Sequence, residues 1–449
     1  MTATIEAGAT NVFPRFCDLA YPSIERGEGV WLYSTDGERI LDACSGGAMV
    51  ACLGHGRADI VEAAYEQTRR VSYVYNHHFT SEAQERLADR MIALAAPGMA
   101  RVRFSSGGSE ANEAALRLAR QYHVDRGEPE RWRVISQAQA YHGALIGVLA
   151  LTGRSSLQRP YGEYLPGHLH IPPPGRRDDP DGEAALAALD RAIADAGPGE
   201  VAAYFCEPVG GAAFPAYSPP TRFWEGLAER RERHGFLVCF DEIVTGIGRT
   251  GSWFAWQGLP IEPDIVTCGK GLGAGYFPIA ATLCGDHVYE ALANGSRQFE
   301  HGHTWDGAPL PCAVGLAALE AIERGRLVER VRERGPSLRD EVATALPDSA
   351  IVGEVRGRGF LLGVELVDPR DPSAFLPDEL DAAALVEGEA IEHGLLVAAT
   401  HSTSDGYTGD QVLLAPAFTA GDRELAEMVD RLAATIVAVE RRVGDWLTR

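Results

Sequence analysis

The sequence DIVTCGKGLGAGYFPIAA at residues 264–281 is the most informative stretch for predicting the fold. Its apolar start, 264–268, is typical of a strand buried on both faces of a parallel sheet. Lys270 follows directly, between Gly269 and Gly271, which leave room beside it for a flat ring. Partial burial lowers the pKa of a lysine and makes its amine nucleophilic towards an aldehyde. Lys270 is therefore a candidate for covalent catalysis, with a lysine that snorkels to the surface as the alternative.

A second apolar run leads to a carboxylate in residues 236–251, FLVCFDEIVTGIGRTG. The run 236–240 predicts another buried strand, and Asp241 lies at its carboxyl end, where open α/β sheets bind ligands. A carboxylate there can keep a pyridinium nitrogen protonated, although most strand-end aspartates are simply solvated. The GxGxxG spacing at 246–251 does not indicate a dinucleotide site, because it begins five residues beyond the strand and no helix pattern follows it.

The third segment is residues 101–120, RVRFSSGGSEANEAALRLAR. Residues 101–105 predict a strand and 109–122 a helix with one apolar face, joined by a turn rich in serine and glycine. Backbone N–H groups at such a turn form a phosphate site together with the positive end of the helix dipole. A simple capped helix, with Ser109 as the N-cap, is the alternative. Together the three segments supply a phosphate cradle, a pyridinium partner and a nucleophilic amine.

Apolar runs alternate with helical patterns through the middle of the chain, which predicts an α/β fold with a mostly parallel sheet. Further buried strands are predicted at 133–136 and 201–206, and a further helix at 223–234. The proline-, glycine- and aspartate-rich residues 172–184 predict a surface loop.

The pattern changes from Leu316 onward. A long helix beginning there leads into 351–366, which alternates like strands with an exposed face, and then into a terminal helix near 422–443. The chain is long enough for more than one core. We therefore predict a large cofactor-binding domain at 60–320 and a smaller α+β domain built from both termini, 1–59 and 321–449.

Composition excludes several classes of partner. The 41 basic and 63 acidic residues give a net charge of −22, which repels nucleic acid and anionic lipid. The eight cysteines stand singly without a CxxC pair, which favours free thiols in a reducing compartment over disulfides or a zinc site. Neither a signal peptide nor an apolar run long enough to span a membrane is found, so we expect a cytoplasmic protein.

The three segments and their order resemble the class III (omega) aminotransferases, which are pyridoxal-phosphate-dependent enzymes of the type I fold. The resemblance runs nearly from end to end. It includes GEGVWL at 27–32, LGHG at 53–56 and LLAP at 413–416.

The resemblance implies a role for individual residues. Lys270 would form the Schiff base with pyridoxal 5'-phosphate, and Asp241 would bond the ring nitrogen. The remaining cofactor contacts it implies are Gly108 and Ser109 at the phosphate, Ile243 and Tyr141 on the two ring faces, and His142 and Glu207 near the cofactor. Thr304 would reach the phosphate held by the neighbouring subunit, so the resemblance also implies a homodimer with shared active sites.

The activity that the resemblance implies is transfer of an amino group from a primary amine or amino acid to an aldehyde, ketone or keto acid. Lys270 would be both the covalent anchor and the general acid and base. An aminomutase or amino-acid racemase on the same scaffold remains an alternative, because it would use the same residues. A noncatalytic protein that only binds a phosphate ligand would not need Lys270, Asp241 and Tyr141 together.

Substrate identity stays open at this stage. Members of the family that act on amino acids often use a glutamate shortly after the Glu-Pro pair and an arginine near the C-terminal strand. Here no second acid follows Glu207 within 207–212, and residues 394–415 contain no arginine. Family position suggests pocket residues, namely Met49, Tyr75, His78 and Trp305. A metal is not expected, because no cluster of cysteine or carboxylate ligands completes the pair His301 and His303.

Overall fold

The fold is described from a computed structural model that covers residues 4–6, 10–17, 19–197, 199–346, 349–401 and 409–448. The strands are β1 (Thr4–Glu6), β2 (Ala20–Pro22), β3 (Ile24–Glu28), β4 (Trp31–Ser34), β5 (Arg39–Asp42), β6 (Arg101–Ser105), β7 (Arg133–Gln137), β8 (Leu169–Ile171), β9 (Val201–Cys206), β10 (Leu237–Glu242), β11 (Ile265–Cys268), β12 (Ala280–Cys284), β13 (Val352–Arg358), β14 (Leu361–Leu366), β15 (Leu395–Leu396), β16 (Ala398–Thr400) and β17 (Gln411–Leu414).

The α-helices are α1 (Ala58–Arg70), α2 (Glu82–Leu94), α3 (Gly108–Asp125), α4 (Ile146–Leu149), α5 (Ser155–Gln158), α6 (Glu183–Ala196), α7 (Thr221–His234), α8 (Asp286–Asn294), α9 (Pro309–Arg324), α10 (Leu327–Ala345), α11 (Ala382–Glu392) and α12 (Asp422–Leu447). No helix among the described residues is long and apolar enough to cross a membrane.

The central element is a seven-stranded sheet in the order β6-β12-β11-β10-β9-β7-β8. All five apolar runs predicted as buried strands belong to it, and β9, β10 and β11 are buried along their whole length. The sheet is parallel except for β12, which pairs antiparallel with both β11 and β6. The short 269–279 connection explains this exception, because a parallel crossover needs a dozen or more residues and usually a helix.

Both ends of the chain contribute to one smaller sheet, in which β15 pairs parallel with β5 beside β4 and β3. A second small sheet is antiparallel, in the order β13-β14-β17-β16. The prediction of one exposed face for 351–366 is wrong for β14, whose six residues are all buried. The loop before α7 covers this strand so closely that a Cβ on Gly363 would lie 2.4 Å from the Pro215 carbonyl oxygen.

The predicted surface loop at 172–184 is partly buried and ends where α6 begins at Glu183. Asp179 is 5% exposed, and its carboxylate accepts hydrogen bonds from the backbone N–H groups of Ala184 (2.8 Å) and Ala185 (3.0 Å). A carboxylate at a helix N-terminus satisfies donors that have no partner within the helix, which explains why this polar residue is buried.

Candidate active site

The carboxyl ends of neighbouring strands of the large sheet meet at a cavity of about 200 Å³. Parallel strands bring the residues that follow them to one edge of the sheet, although these residues are far apart in the sequence. The cavity is lined by Gly108, Ser109, Asn112, Tyr141, His142, Gly143, Glu207, Ala212, Asp241, Ile243, Val244 and Lys270.

Asp241 makes three hydrogen bonds in the cavity, and it is 4% exposed. Its Oδ2 atom accepts from Asn112 Nδ2 at 2.7 Å and lies 2.8 Å from His142 Nδ1, while its Oδ1 atom accepts from the Ile243 N–H at 2.9 Å. A carboxylate has about four acceptor positions, so one remains for a protonated ring nitrogen. The donors hold Asp241 in one orientation.

His142 has one nitrogen against Asp241 and one against an apolar wall. Its side chain is fully buried, its ring lies edge-on to Phe205 at 4.9 Å, and Nε2 has no hydrogen-bond partner among the described residues. A proton on Nε2 would be a buried N–H without an acceptor, which is costly. The surroundings therefore favour the neutral tautomer that donates from Nδ1 to Asp241.

Lys270 follows β11 with a left-handed backbone (φ 41°), and its side chain lines the cavity. Burial lowers the pKa of its amine, against the opposing effect of the nearby Cys44, Glu207 and Asp241. A lowered pKa increases the fraction of uncharged amine, which is the nucleophilic form and the form that accepts protons.

Glu207 joins two walls of the cavity. Its Oε1 atom accepts from the backbone N–H of Tyr141 at 3.1 Å and its Oε2 atom from that of Gly211 at 2.7 Å. Burial, and then the negative charge of Asp241, raise the pKa of Glu207 from 4.5 to about 7. The carboxylate thus fixes the segment that carries the Tyr141 ring.

The N-terminus of α3 forms another part of the cavity lining. The helix begins at Gly108, and no side chain caps it, so the alternative of Ser109 as the N-cap is wrong. Instead Ser109 Oγ accepts from the Ala144 N–H at 3.2 Å. Ile243 packs so close to Gly108 that a Cβ there would lie 3.0 Å from its Cγ2 atom. This part of the cavity therefore combines free helix N–H donors with a tight apolar wall, an arrangement suited to a phosphate beside a flat ring.

The cavity of the single chain does not include every residue suggested by the sequence. Met49 is buried in a separate apolar cluster, whereas Tyr75 and Trp305 are 41% and 53% exposed and His78 is exposed as well. Thr304 is also exposed, and its carbonyl oxygen accepts from Tyr73 Oη at 2.9 Å. Thr304 and the four suggested pocket residues therefore lie outside the lining of the cavity.

Sequence reasoning missed Asn112, which holds the site together. Its Nδ2 atom donates to both Asp241 Oδ2 and the His142 carbonyl oxygen, each at 2.7 Å, and its Oδ1 atom accepts from Thr267 Oγ1 at 2.6 Å. The available indication was a polar residue on the apolar face of the predicted helix, where a buried amide needs partners. Ala212 and Val244 were missed because small apolar residues carry no such indication.

Comparison with known proteins gives a consistent result. A sequence profile described as aminotransferase class-III matches residues 17–436. An uncharacterised aminotransferase of Schizosaccharomyces pombe is 33% identical, with 93% of each chain covered.

Solved structures agree in fold. An (S)-enantioselective omega-transaminase from Thermomicrobium roseum has a TM-score of 0.85 and 33% identity, covering 93% of this chain and 92% of its own. An omega transaminase from Pseudomonas jessenii in complex with PMP has a TM-score of 0.87 and 31% identity, covering 95% of this chain and 94% of its own. These likenesses confirm the predicted type I fold and indicate pyridoxal phosphate as the cofactor.

The residues of the cavity fit that cofactor. Asp241 has a free acceptor position for a ring nitrogen, and Lys270 has no hydrogen-bond or ion-pair partner among the described residues. The N-terminus of α3 presents backbone donors in the lining of the same cavity. The expectation that no metal is bound stays a prediction.

Proposed function

The chain belongs to the class III aminotransferases, and on that premise we propose that Lys270 is the residue that binds pyridoxal phosphate covalently and moves protons during amino transfer. One observation carries the proposal: Lys270 and Asp241 line the same small cavity, at the ends of adjacent strands. When bound, pyridoxal phosphate acts as an electron sink for the carbanion formed at the substrate carbon.

Each residue of the site has a distinct task in this proposal. Asp241 would keep the ring nitrogen protonated, and His142 and Asn112 hold Asp241 in one orientation by donating to Oδ2. The Nζ atom of Lys270 would accept the proton that leaves the substrate carbon and hold it until the cofactor takes it up, and its lowered pKa makes the uncharged, proton-accepting amine available. Tyr141 and Ile243 cover the two faces of the ring, and Gly108 and Ser109 hold the phosphate.

For the substrate pair, we propose that one member is an aldehyde, a ketone or a terminal primary amine without a carboxylate beside the reacting carbon. No arginine lines the cavity in the part of the chain that the structure describes, and the segment after Glu207 is formed by small residues. A desolvated carboxylate without a partner costs several kcal/mol, so an α-carboxylate is poorly matched to this cavity. Residues 402–408 of the 394–415 segment lie outside the described residues.

The test is single-turnover kinetics of cofactor amination and deamination with simple amines, aldehydes, amino acids and keto acids. Reaction of at least one partner that has no α-carboxylate supports the substrate proposal. Reaction of α-carboxylate substrates alone, in both directions, contradicts it. Absence of amination by every donor would contradict amino transfer itself.

We also propose a homodimer with shared active sites in the cytoplasm. The exposure of Trp305, the residue after Thr304, supports a partner covering this surface, since large apolar side chains are usually buried in an interface. Eight free cysteines, seven of them buried, support a reducing compartment.

A further inference from the structure

Arg154 is a half-buried arginine whose side chain has no partner among the described residues. Its Nε atom is buried and has no hydrogen-bond partner, and no carboxylate of the described residues lies within ion-pair distance of its guanidinium group. A guanidinium group stays charged at all physiological pH values. Partial removal of an unpaired charge from water has a cost, which an anionic ligand beside the guanidinium group would offset.

The backbone holds Arg154 beside the Tyr141 wall of the cavity. Thr152 Oγ1 accepts from the His142 N–H at 2.9 Å, and the Gly153 N–H donates to the Ala140 carbonyl oxygen at 2.9 Å. The two segments are in such close contact that a Cβ on Gly153 would lie 2.1 Å from the Gln137 carbonyl oxygen. Arg154 is therefore fixed next to the segment that carries the ring-stacking tyrosine.

The charges around Arg154 are also unbalanced. Burial lowers the pKa of its guanidinium group, the positive charge of Arg15 lowers it further, and the Tyr141 hydroxyl opposes them. Neither neighbour is a carboxylate. Arg15 thus adds positive charge near Arg154 in a protein whose net charge is −22, which favours an anion at this place.

We propose that Arg154 determines substrate specificity by binding the carboxylate of a substrate whose acid group lies several bonds from the reacting carbon. The carboxylate would form a charge-assisted, bidentate pair with the guanidinium group beside Tyr141, while the amino or carbonyl end enters the cavity. This inference rests on the proposed function, because it assumes that the reacting carbon lies at Lys270.

The experiment uses the holoenzyme and two matched donors, 5-aminopentanoate and pentylamine, which differ only in the carboxylate. Arg154→Gln should raise the half-saturating concentration of 5-aminopentanoate at least tenfold in single-turnover amination, with little change for pentylamine. Arg154→Lys keeps the charge but loses the planar group that pairs with a carboxylate through two hydrogen bonds. It should raise the half-saturating concentration of 5-aminopentanoate by an intermediate factor. Arg159→Gln is the matched control, because Arg159 is exposed in the same segment.

A second measurement separates this inference from the proposed function. Pentanoate carries the same carboxylate but no amino or keto group to transfer, and its binding to the holoenzyme by calorimetry should weaken at least tenfold in Arg154→Gln. Equal losses of affinity for both donors, no loss for either, or the same loss in Arg159→Gln would overturn the role of Arg154. So would unchanged pentanoate binding with a weakened dimer by ultracentrifugation, which would make a partner carboxylate the ligand of Arg154. Normal pentanoate binding without amination of any donor would instead contradict amino transfer.

Discussion

His142 Nδ1 lies 2.8 Å from Asp241 Oδ2, and both side chains are almost completely excluded from solvent. Asn112 donates to the same carboxylate oxygen at 2.7 Å. Two donors on one oxygen suit a carboxylate that accepts hydrogen bonds and donates none. The site is thus built to maintain a negative charge at the carboxyl end of β10.

Replacing Asp241 tests that charge directly. Asp241→Asn keeps the shape but removes the charge, so single-turnover amination should slow by about a hundredfold or more, corresponding to a few kcal/mol of lost transition-state stabilisation. Cofactor binding, followed by absorbance, serves as the control. A variant that retains a near-normal rate with bound cofactor would refute the role of Asp241.

Lys270→Ala should abolish multiple turnover, because it removes both the covalent anchor and the proton carrier. Borohydride reduction of the wild-type holoenzyme should attach the cofactor to one peptide, and mass spectrometry should identify Lys270 in it. Attachment to any other lysine would show that the assignment is mistaken.

Asn112→Ala should weaken cofactor binding and slow the reaction about tenfold, because Asp241 loses one of its donors and Thr267 Oγ1 loses its acceptor. Asn112→Asp should be more harmful, since it adds a like charge next to Asp241. The comparison is made by cofactor titration and single-turnover kinetics. Equal behaviour of the two variants would contradict an electrostatic role for this network.

The raised pKa of Glu207 predicts a dependence of stability on pH. The folded protein holds the proton up to about pH 7, whereas the unfolded chain releases it near 4.5. The free energy of unfolding should therefore fall as pH rises from about 4.5 to 7, by roughly 3 kcal/mol from this group, and then level off. Urea denaturation of the cofactor-free protein at pH 5 and pH 8 measures the change.

The glutamine of the Glu207→Gln variant does not titrate. The free energy of unfolding of this variant should therefore fall less between pH 5 and pH 8 than that of the wild type. Glu242, whose pKa is also raised to about 7, is present in both proteins, and the difference between them isolates Glu207. Parallel pH profiles for the wild type and the variant would contradict the prediction.

Shared active sites predict complementation between subunits. Lys270→Ala and Thr304→Ala chains, each inactive or nearly so as homodimers, should form hybrids with one intact site when they are unfolded and refolded together. Activity of the mixture measures this. Full wild-type activity of a monomer at high dilution would exclude the shared site.

Local sequence patterns were sufficient to predict the buried strands and the residues that follow them. The apolar runs, the glycine-rich turn and the motifs of the family predicted Lys270, Asp241 and Ser109 as site residues, and all three line one cavity. Such a prediction is possible because local pattern and motif spacing are properties of contiguous residues. Alternation was misleading for β14, since burial of its second face depends on a loop that is distant in the sequence.

The hydrogen-bond partners in the site could be assigned only from the three-dimensional structure. Asp241 is 129 residues from Asn112 and 99 from His142, so no spacing rule connects them, and the sheet order brings them together. The same holds for Arg154, whose lack of a carboxylate partner becomes visible only when its neighbours are known. Local sequence patterns report the period of a helix or strand, whereas partners, burial and charge balance are set by packing between distant segments.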